Sequence, residues 1–434
     1  MKRYVFWRSP TGKPHRGEDD RFALPLVLEE IRKKASAFGR GVGWMNWIPH
    51  YKTCLRPSLV VLDPNEDEVN AADSWDIVQA TLIGILKSDG GDKPIGSRAF
   101  LREADRRAAE FFRKPLSRYI LVTSLSVEQM PTKQISLPKS TVKELASRGQ
   151  RFSYPDALRN TFPHFAKIEL KHKNKLVAVE VRGRSVHDAV NRGLSDLGLL
   201  RGLWTLYGRY GSWSVSLSSP TRQKPLGVIH SGPLHTLHHP DGTPVDGPFW
   251  YEPEYLDGPF DLFAPSKGWA GVEKSRRWAM RRLKALPYRR ELEDILIRFA
   301  EALDQVNLDV AFIHLWSILE KLTDTVGANY DETVRRAVWA YDDRTLAAEM
   351  LGAMRLHRNR LVHAAHAADQ RDQVAYMVKS FVEPHLLRLL RNDFDVVSLE
   401  EYGKQLSLPT NMETLKKQRR ALGRTIRFLG RKKK

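Results

Sequence analysis

The sequence predicts an α+β protein in which a mixed N-terminal region precedes a bundle of helices. Short apolar runs with the two-residue period of strands stand within the first 271 residues. From residue 290 to 392, apolar residues recur at the three- and four-residue spacing of amphipathic helices. We therefore divide the chain into a poorly defined α/β region (1–130), a β-rich region with a long helix (131–271), an all-α helical domain (272–395) and a basic tail (396–434).

The first two regions contain two helices, two single strands and a hairpin that the sequence predicts. Asp73–Leu86 predicts a helix, and Tyr119–Thr123 and Leu59–Leu62 predict strands. Two alternating runs around a polar turn predict a hairpin, with its strands at Ala166–Leu170 and Leu176–Val181. A capping pattern at residues 185–188 then opens a long amphipathic helix that ends near residue 207.

The region after Arg290 predicts five helices in succession. Asp342 or Asp343 is suited to cap the fourth helix, because a short carboxylate accepts hydrogen bonds from the first free backbone amides. The predicted helices are Glu291–Asn307, Leu308–Thr323, Asp331–Tyr341, Thr345–Ala367 and Asp372–Asn392.

The net charge of +19 predicts a polyanionic partner. Ten Lys or Arg and no acid stand between Leu415 and Lys434, and eight more cations stand without an acid between Lys274 and Arg290. Such clusters contact phosphates without reading sequence, so they do not separate RNA from DNA. The basic tail is equally suited to a role in solubility alone.

The composition excludes several classes of protein. Hydrophobic residues make up 42% of the chain, which is ample for buried cores, and no run of 18 apolar residues predicts a membrane span. The N-terminus lacks the apolar core of a signal peptide. Cys54 is the single cysteine, so no intramolecular disulfide forms and a reducing cytoplasm is expected.

We expect no metal or other cofactor. His235, His238 and His239 stand in a segment rich in Gly and Pro, without the glutamate of a zinc-protease motif. His363 and His366 have no cysteine or carboxylate ligand nearby.

The most informative residues are Arg358-Asn359-Arg360-Leu361-Val362-His363. Histidine titrates near neutral pH and can remove the proton of a ribose 2′-hydroxyl, which then attacks its own phosphate. The guanidinium of Arg358 presents a charged fork that fits phosphate oxygens. Asn359 stands one helical turn before His363 and could orient its ring. Arg358 and His363 are about 140° apart on an ideal helix, so their cooperation depends on the long arginine side chain.

This stretch, read from Arg355 to Ala364, resembles the "hRNxhVHg" pattern of the ApeA-like group of HEPN domains. Leu315–Leu322 similarly resembles the "LWxxLExL" helix of that superfamily, and Ala364 departs from its usual glycine. The resemblance implies a helical HEPN domain and a metal-independent endoribonuclease acting in antiviral defence or toxin-like growth arrest. It also implies a homodimer, since a second copy of the motif completes the site in that superfamily.

The predicted catalytic residues are Arg358 for the phosphate, His363 as base or acid and Asn359 for orientation. The predicted RNA contacts are Arg355, Arg360 and His366. The sequence leaves open two alternatives, a non-catalytic RNA-binding or dimerisation module and the toxin of a toxin–antitoxin pair. The N-terminal region would sense a phage-derived trigger or position the substrate.

Overall fold

A computed structural model describes residues 70–88, 97–211, 225–256, 261–327, 330–364 and 371–431. Within these ranges the chain has thirteen α-helices and one six-stranded antiparallel sheet, so the predicted α+β class is confirmed. Cys54, the predicted strand Leu59–Leu62 and His366 lie outside the described residues. No helix within those ranges is long and apolar enough to cross a membrane.

The sheet is built around its two longest strands. β1 pairs antiparallel with β4 over nine residues, from Ser117 opposite Gly183 to Leu125 opposite Lys175. The strand order across the sheet is β2-β3-β4-β1-β5-β6. The strands are β1 (Ser117–Leu125), β2 (Gln134–Ser136), β3 (Ser140–Glu144), β4 (Lys175–Gly183), β5 (Leu234–His238) and β6 (Trp250–Tyr251).

The predicted hairpin is wrong, although its second strand exists as β4. Residues 166–170 lie instead in the helix Phe165–His172. Phe165 and Glu169, one turn apart, both face Tyr154, with Phe165 at 4.1 Å between ring centroids and Glu169 accepting the tyrosine hydroxyl hydrogen bond. Both sides of β4 are already occupied, by β1 and β3, so no edge remains for another strand.

Five helices accompany the sheet. The predicted helix near the N-terminus is confirmed as α1, and the long helix is confirmed as α5. Ser185 caps α5 as predicted, because its hydroxyl accepts a hydrogen bond of 2.9 Å from the backbone amide of Asp188. These helices are α1 (Ala71–Ser88), α2 (Ser97–Arg113), α3 (Asp156–Thr161), α4 (Phe165–His172) and α5 (Val186–Gly208).

Helix α5 belongs to both hydrophobic cores. Leu197, Leu200 and Trp204 pack with the sheet, whereas Leu199 and Leu203 pack with the helices that follow. A wide apolar surface on both sides of one helix is the pattern of a fully buried helix.

The remaining helices include the five that the sequence predicts. The helical part of the chain nevertheless begins earlier than expected, at Trp269, because Trp269, Val272, Ala279 and Leu283 already repeat at helical spacing and are buried. The helices are α6 (Trp269–Ala285), α7 (Arg289–Leu303), α8 (Leu308–Leu322), α9 (Tyr330–Ala337), α10 (Arg344–Ala364), α11 (Arg371–Arg391), α12 (Leu399–Gln405) and α13 (Met412–Arg431).

The segment predicted as a basic tail is mostly helical. Asn411 begins α13, because its side-chain oxygen accepts the backbone amide of Thr414 at 3.1 Å. Nearly every described side chain of α13 is exposed, so the helix projects from the body rather than folding back onto it.

A buried histidine joins three helices of the bundle. Nε2 of His385 in α11 donates to the carbonyl oxygen of Ala337 in α9 at 3.0 Å. Its Nδ1 therefore accepts from the hydroxyl of Tyr402 in α12, at 2.7 Å. Burial lowers the pKa of His385 to about 4.

We expect the fold to lose stability as the pH falls from about 6.5 towards 4. The unfolded chain then binds a proton at residue 385 that the folded protein excludes, which lowers the free energy of unfolding by about 1 kcal/mol at pH 5.5. Urea unfolding at pH 7.5 and 5.5 measures this, with His385→Phe as the variant that cannot titrate. An equal pH dependence in the wild type and the variant would contradict the assignment to His385.

Candidate functional site

The candidate site lies along α10, which carries the arginine–histidine motif. Asp343 caps this helix as predicted, with its carboxylate accepting the backbone amide of Leu346 at 3.0 Å. The buried residues Ala347, Leu351 and Met354 form the face that packs on the rest of the bundle. These residues are four and three positions apart, and Arg358 follows Met354 by four positions, on the same face of the helix. The motif arginine therefore occupies an inward position near the end of a core stripe.

Arg358 is held in place by an aromatic ring. Its guanidinium lies 4.6 Å from the ring centroid of Tyr330 in α9, and its side chain is half-buried. Stacking of this kind fixes the plane of the guanidinium and leaves its N–H groups directed outwards. No carboxylate among the described residues forms an ion pair with Arg358. It is therefore not simply a solvated surface cation.

Helix α8 lies next to Tyr330 and Arg358. Nε1 of Trp316 donates to the carboxylate of Glu320 at 2.8 Å, and the Trp316 ring lies 6.5 Å from that of Tyr330. Burial raises the pKa of Glu320, while the Trp316 hydrogen bond and the charge of Arg358 act in the opposite direction. The α8 segment that resembles the HEPN helix thus faces the motif helix.

Asn359 places a polar side chain one helical turn before His363. Its side-chain oxygen is buried and has no hydrogen-bond partner within the described parts of the chain. The backbone of His363 continues α10 one turn further on, and its side chain lies outside the described structure. Contact between the Asn359 amide and the His363 imidazole therefore stays a prediction. The helical backbone between them, which this contact requires, is present.

The predicted RNA contacts occupy different environments. Arg355 forms an ion pair with Asp331 of α9, so its charge is already compensated. Arg360 is exposed and points away from the core stripe. His366 lies beyond the last described residue of this helix. Of the three, Arg360 is the one that the described structure leaves accessible.

His357, which was not among the predicted site residues, faces α8. Its ring lies 5.0 Å from that of Phe312, and its Nε2 lies 4.0 Å from the carboxylate of Asp309. Burial lowers the pKa of His357, which the negative charge of Asp309 partly offsets. His357 stands three residues after the apolar Met354, and this spacing alone could have predicted that it points inwards.

The basic cluster between Lys274 and Arg290 is partly structural. The guanidinium of Arg276 in α6 is buried and donates to Glu273 at 2.8 and 2.9 Å, and Glu273 also accepts from Trp204 Nε1 at 2.6 Å. Arg282 donates to the carbonyl oxygen of Arg391 at 2.8 Å. These cations hold α6 to its neighbours, so the cluster offers fewer phosphate contacts than the sequence predicts.

The histidines of β5 have protein partners. His235 Nδ1 lies 2.7 Å from the hydroxyl of Thr123. His238 lies 2.9 Å from the hydroxyl of Thr236 and 3.0 Å from the carbonyl oxygen of Gly242. Across the described ranges, no group of three His, Cys, Asp or Glu side chains is placed to hold a metal ion.

A polar cleft that the sequence analysis missed lies on the far side of α8. It has a volume of about 660 Å³ between α5, α7 and α8, with Arg201, Glu301, Asp304, His314 and Lys321 among its lining residues. Arg201 is buried and paired with Asp304, which also accepts from His230 Nδ1 at 3.1 Å. Much of its lining charge is thus neutralised within the protein.

We expect Asn359→Leu to change the free energy of unfolding by less than about 0.5 kcal/mol, because the substitution removes a buried oxygen that makes no hydrogen bond to any described residue. As a matched control, Asn307→Ala should cost about 1 kcal/mol, since Asn307 caps α8 by accepting the amide of Asp309 at 3.0 Å. Urea unfolding of both variants tests this. A loss at residue 359 as large as that at residue 307 would show that the amide is structural.

Comparison with known proteins finds no relative for this site. No family model matches the chain, no curated protein matches it, and no solved structure matches it. The HEPN resemblance therefore remains a proposal supported by the residues of α8 and α10 and by their packing.

Proposed function

We propose that this protein is a metal-independent RNA endonuclease of the HEPN type, acting in antiviral defence or toxin-like growth arrest. The observation that carries the proposal is the environment of Arg358. A guanidinium that is fixed by an aromatic ring, without a carboxylate partner in the described structure, is suited to bind a phosphate. The buried oxygen of Asn359, which has no partner among the described residues, and the histidine one turn later support a site at this end of α10.

The chemistry uses the substrate's own nucleophile. His363 takes the proton from a ribose 2′-hydroxyl, and the 2′-oxygen forms a bond to the adjacent phosphorus. Arg358 stabilises the additional negative charge on the phosphorane. The bond to the 5′-oxygen then breaks, and this oxygen receives a proton from a second histidine. The products are a 2′,3′-cyclic phosphate and a free 5′-hydroxyl.

One copy of α10 provides one arginine and one motif histidine, which is half of the acid–base set. We propose that a second copy of the chain supplies the other histidine across a two-fold axis, the commonest symmetry of oligomers. The N-terminal region would then position the RNA or sense a trigger from a phage. An antitoxin partner is the other arrangement that fits the same site.

We expect His363→Ala and Arg358→Ala each to lower cleavage of total RNA by about 10²- to 10⁴-fold, because each removes a group with a single role. Cleavage by the wild type should persist in EDTA. His164→Ala and Arg159→Ala are matched controls, since both residues are exposed and lie beside the sheet. The assay follows cyclic-phosphate ends on total RNA, with circular dichroism to verify folding.

Cleavage at the wild-type rate by His363→Ala or Arg358→Ala would contradict the catalytic role of the substituted residue. If those variants also bound RNA more weakly while the wild type cleaved nothing, the non-catalytic RNA-binding module would be the better description. Loss of cleavage in EDTA would contradict the metal-independent mechanism.

The cations of α13 should add affinity for the RNA backbone and little sequence preference. Replacing Arg420, Arg424 and Arg427 together by Gln should reduce the slope of log affinity against log salt by about 2, because about 0.7 counterion is released per phosphate contact in single strands. Turnover at saturating RNA should not change. An unchanged salt slope would show that these cations do not contact RNA.

A further inference from the structure

Most of the exposed apolar side chains of α13 lie along a single line, and Phe428, at 59% exposure, lies off it. Leu422, Ile426 and Leu429 are 63%, 69% and 56% exposed, on a helix whose other described residues are also almost all exposed. Exposed leucine and isoleucine at this spacing indicate a surface that is covered by another molecule. The arrangement of the charges around the line identifies that molecule.

The line follows a seven-residue repeat. Leu415, Leu422 and Leu429 are each seven residues apart, which places them at the d positions of a heptad. The corresponding a positions hold Met412, Arg419 and Ile426. A stripe limited to a and d is narrower than the apolar face of a helix that packs on a globular core, and it is typical of a coiled-coil seam. Leucine at d with isoleucine at a favours two strands.

Most charges of α13 lie away from this seam; Arg419 lies within it and Lys416 beside it. Lys417, Arg420, Arg424 and Arg427 occupy the outer b and f positions, on the opposite side of an ideal helix. The positions that flank the seam, e and g, are filled by Lys416, Gln418, Gly423, Thr425 and Gly430. Only one of these flanking residues is charged. Two copies of the helix can therefore meet without like-charge repulsion along their edges, whereas an acidic partner helix would require cations at those edges.

We propose that α13 pairs with α13 of a second copy of this chain along the Met412–Leu429 seam. Arg419 lies at the centre of the seam, where a charge weakens the pairing and limits it to one register, as single polar a residues do. The pairing leaves the cationic faces of both helices directed outwards. The proposal does not depend on RNA cleavage, because it concerns residues remote in sequence from α10 and is measured by the effect of substitutions in α13 on the dissociation constant.

The test uses the full-length protein, treated with nuclease and freed of nucleic acid, in light scattering from about 1 to 100 µM, the range of weak dimers. We expect a monomer–dimer equilibrium. Leu422→Glu should weaken the dimer at least about tenfold, and Arg419→Leu should strengthen it at least about tenfold. The matched controls repeat each change one residue away from the seam: Ala421→Glu and Arg420→Leu should shift the dissociation constant by less than about twofold.

Three results would overturn the proposal. The first is a wild type and an Arg419→Leu variant that both stay monomeric at every concentration. The second is a dimer that Leu422→Glu does not weaken, which would place the contact elsewhere. The third is a monomer in solution whose α13 binds vesicles of phosphatidylcholine and phosphatidylserine in flotation, with binding lost in Leu422→Glu, which would identify a lipid surface as the partner.

Discussion

The fold depends on the close contact between α5 and α7. At Gly202 the two backbones approach so closely that an added Cβ would lie 2.5 Å from the carbonyl oxygen of Leu296. Beside this contact, buried Arg201 of α5 pairs with Asp304 at the end of α7. Because leaving either charge unpaired in the interior is costly, the pair requires both helices to keep their relative position. The sheet on one side of α5 and the bundle on its other side are thereby joined.

The candidate site makes use of this rigid support. α7 packs against α8, and α8 presents Trp316 and Glu320 towards the motif helix. Tyr330 of α9 then fixes the guanidinium of Arg358. The electrostatic character of the site is thus set by packing on three helices, since burial raises the pKa of Glu320 and the Tyr330 ring lies against the guanidinium of Arg358. A site placed on helices in this way is more precise than one placed on loops.

The sequence patterns correctly predicted the caps, strands and helices that depend on residues close together in the chain. The caps at Ser185 and Asp343, the strands β1 and β4 and the helices of the bundle all follow from residues a few positions apart. The failures concern distant partners. Residues 166–170 fit either a strand or a helix, and the occupied edges of β4 decided between them. Likewise, Arg355 was counted as a free cation because its partner Asp331 is remote in sequence. Arg276 was counted as free because its partner Glu273 stands one residue before the cluster.

The cations of α6 and α13 differ in their exposure to solvent, and this difference affects how fast a polyanion meets the protein. In α6 the charge of Arg276 is neutralised inside the protein, whereas the cations of α13 stand in solvent on a helix that projects from the body. At physiological salt, charges are screened over about 8 Å, so a polyanion is attracted mainly to the cations that extend furthest from the protein body. The first collision is therefore expected at α13, which orients the incoming strand before it reaches the body. Ionic strength then controls how often such collisions occur, independently of what happens afterwards at α10.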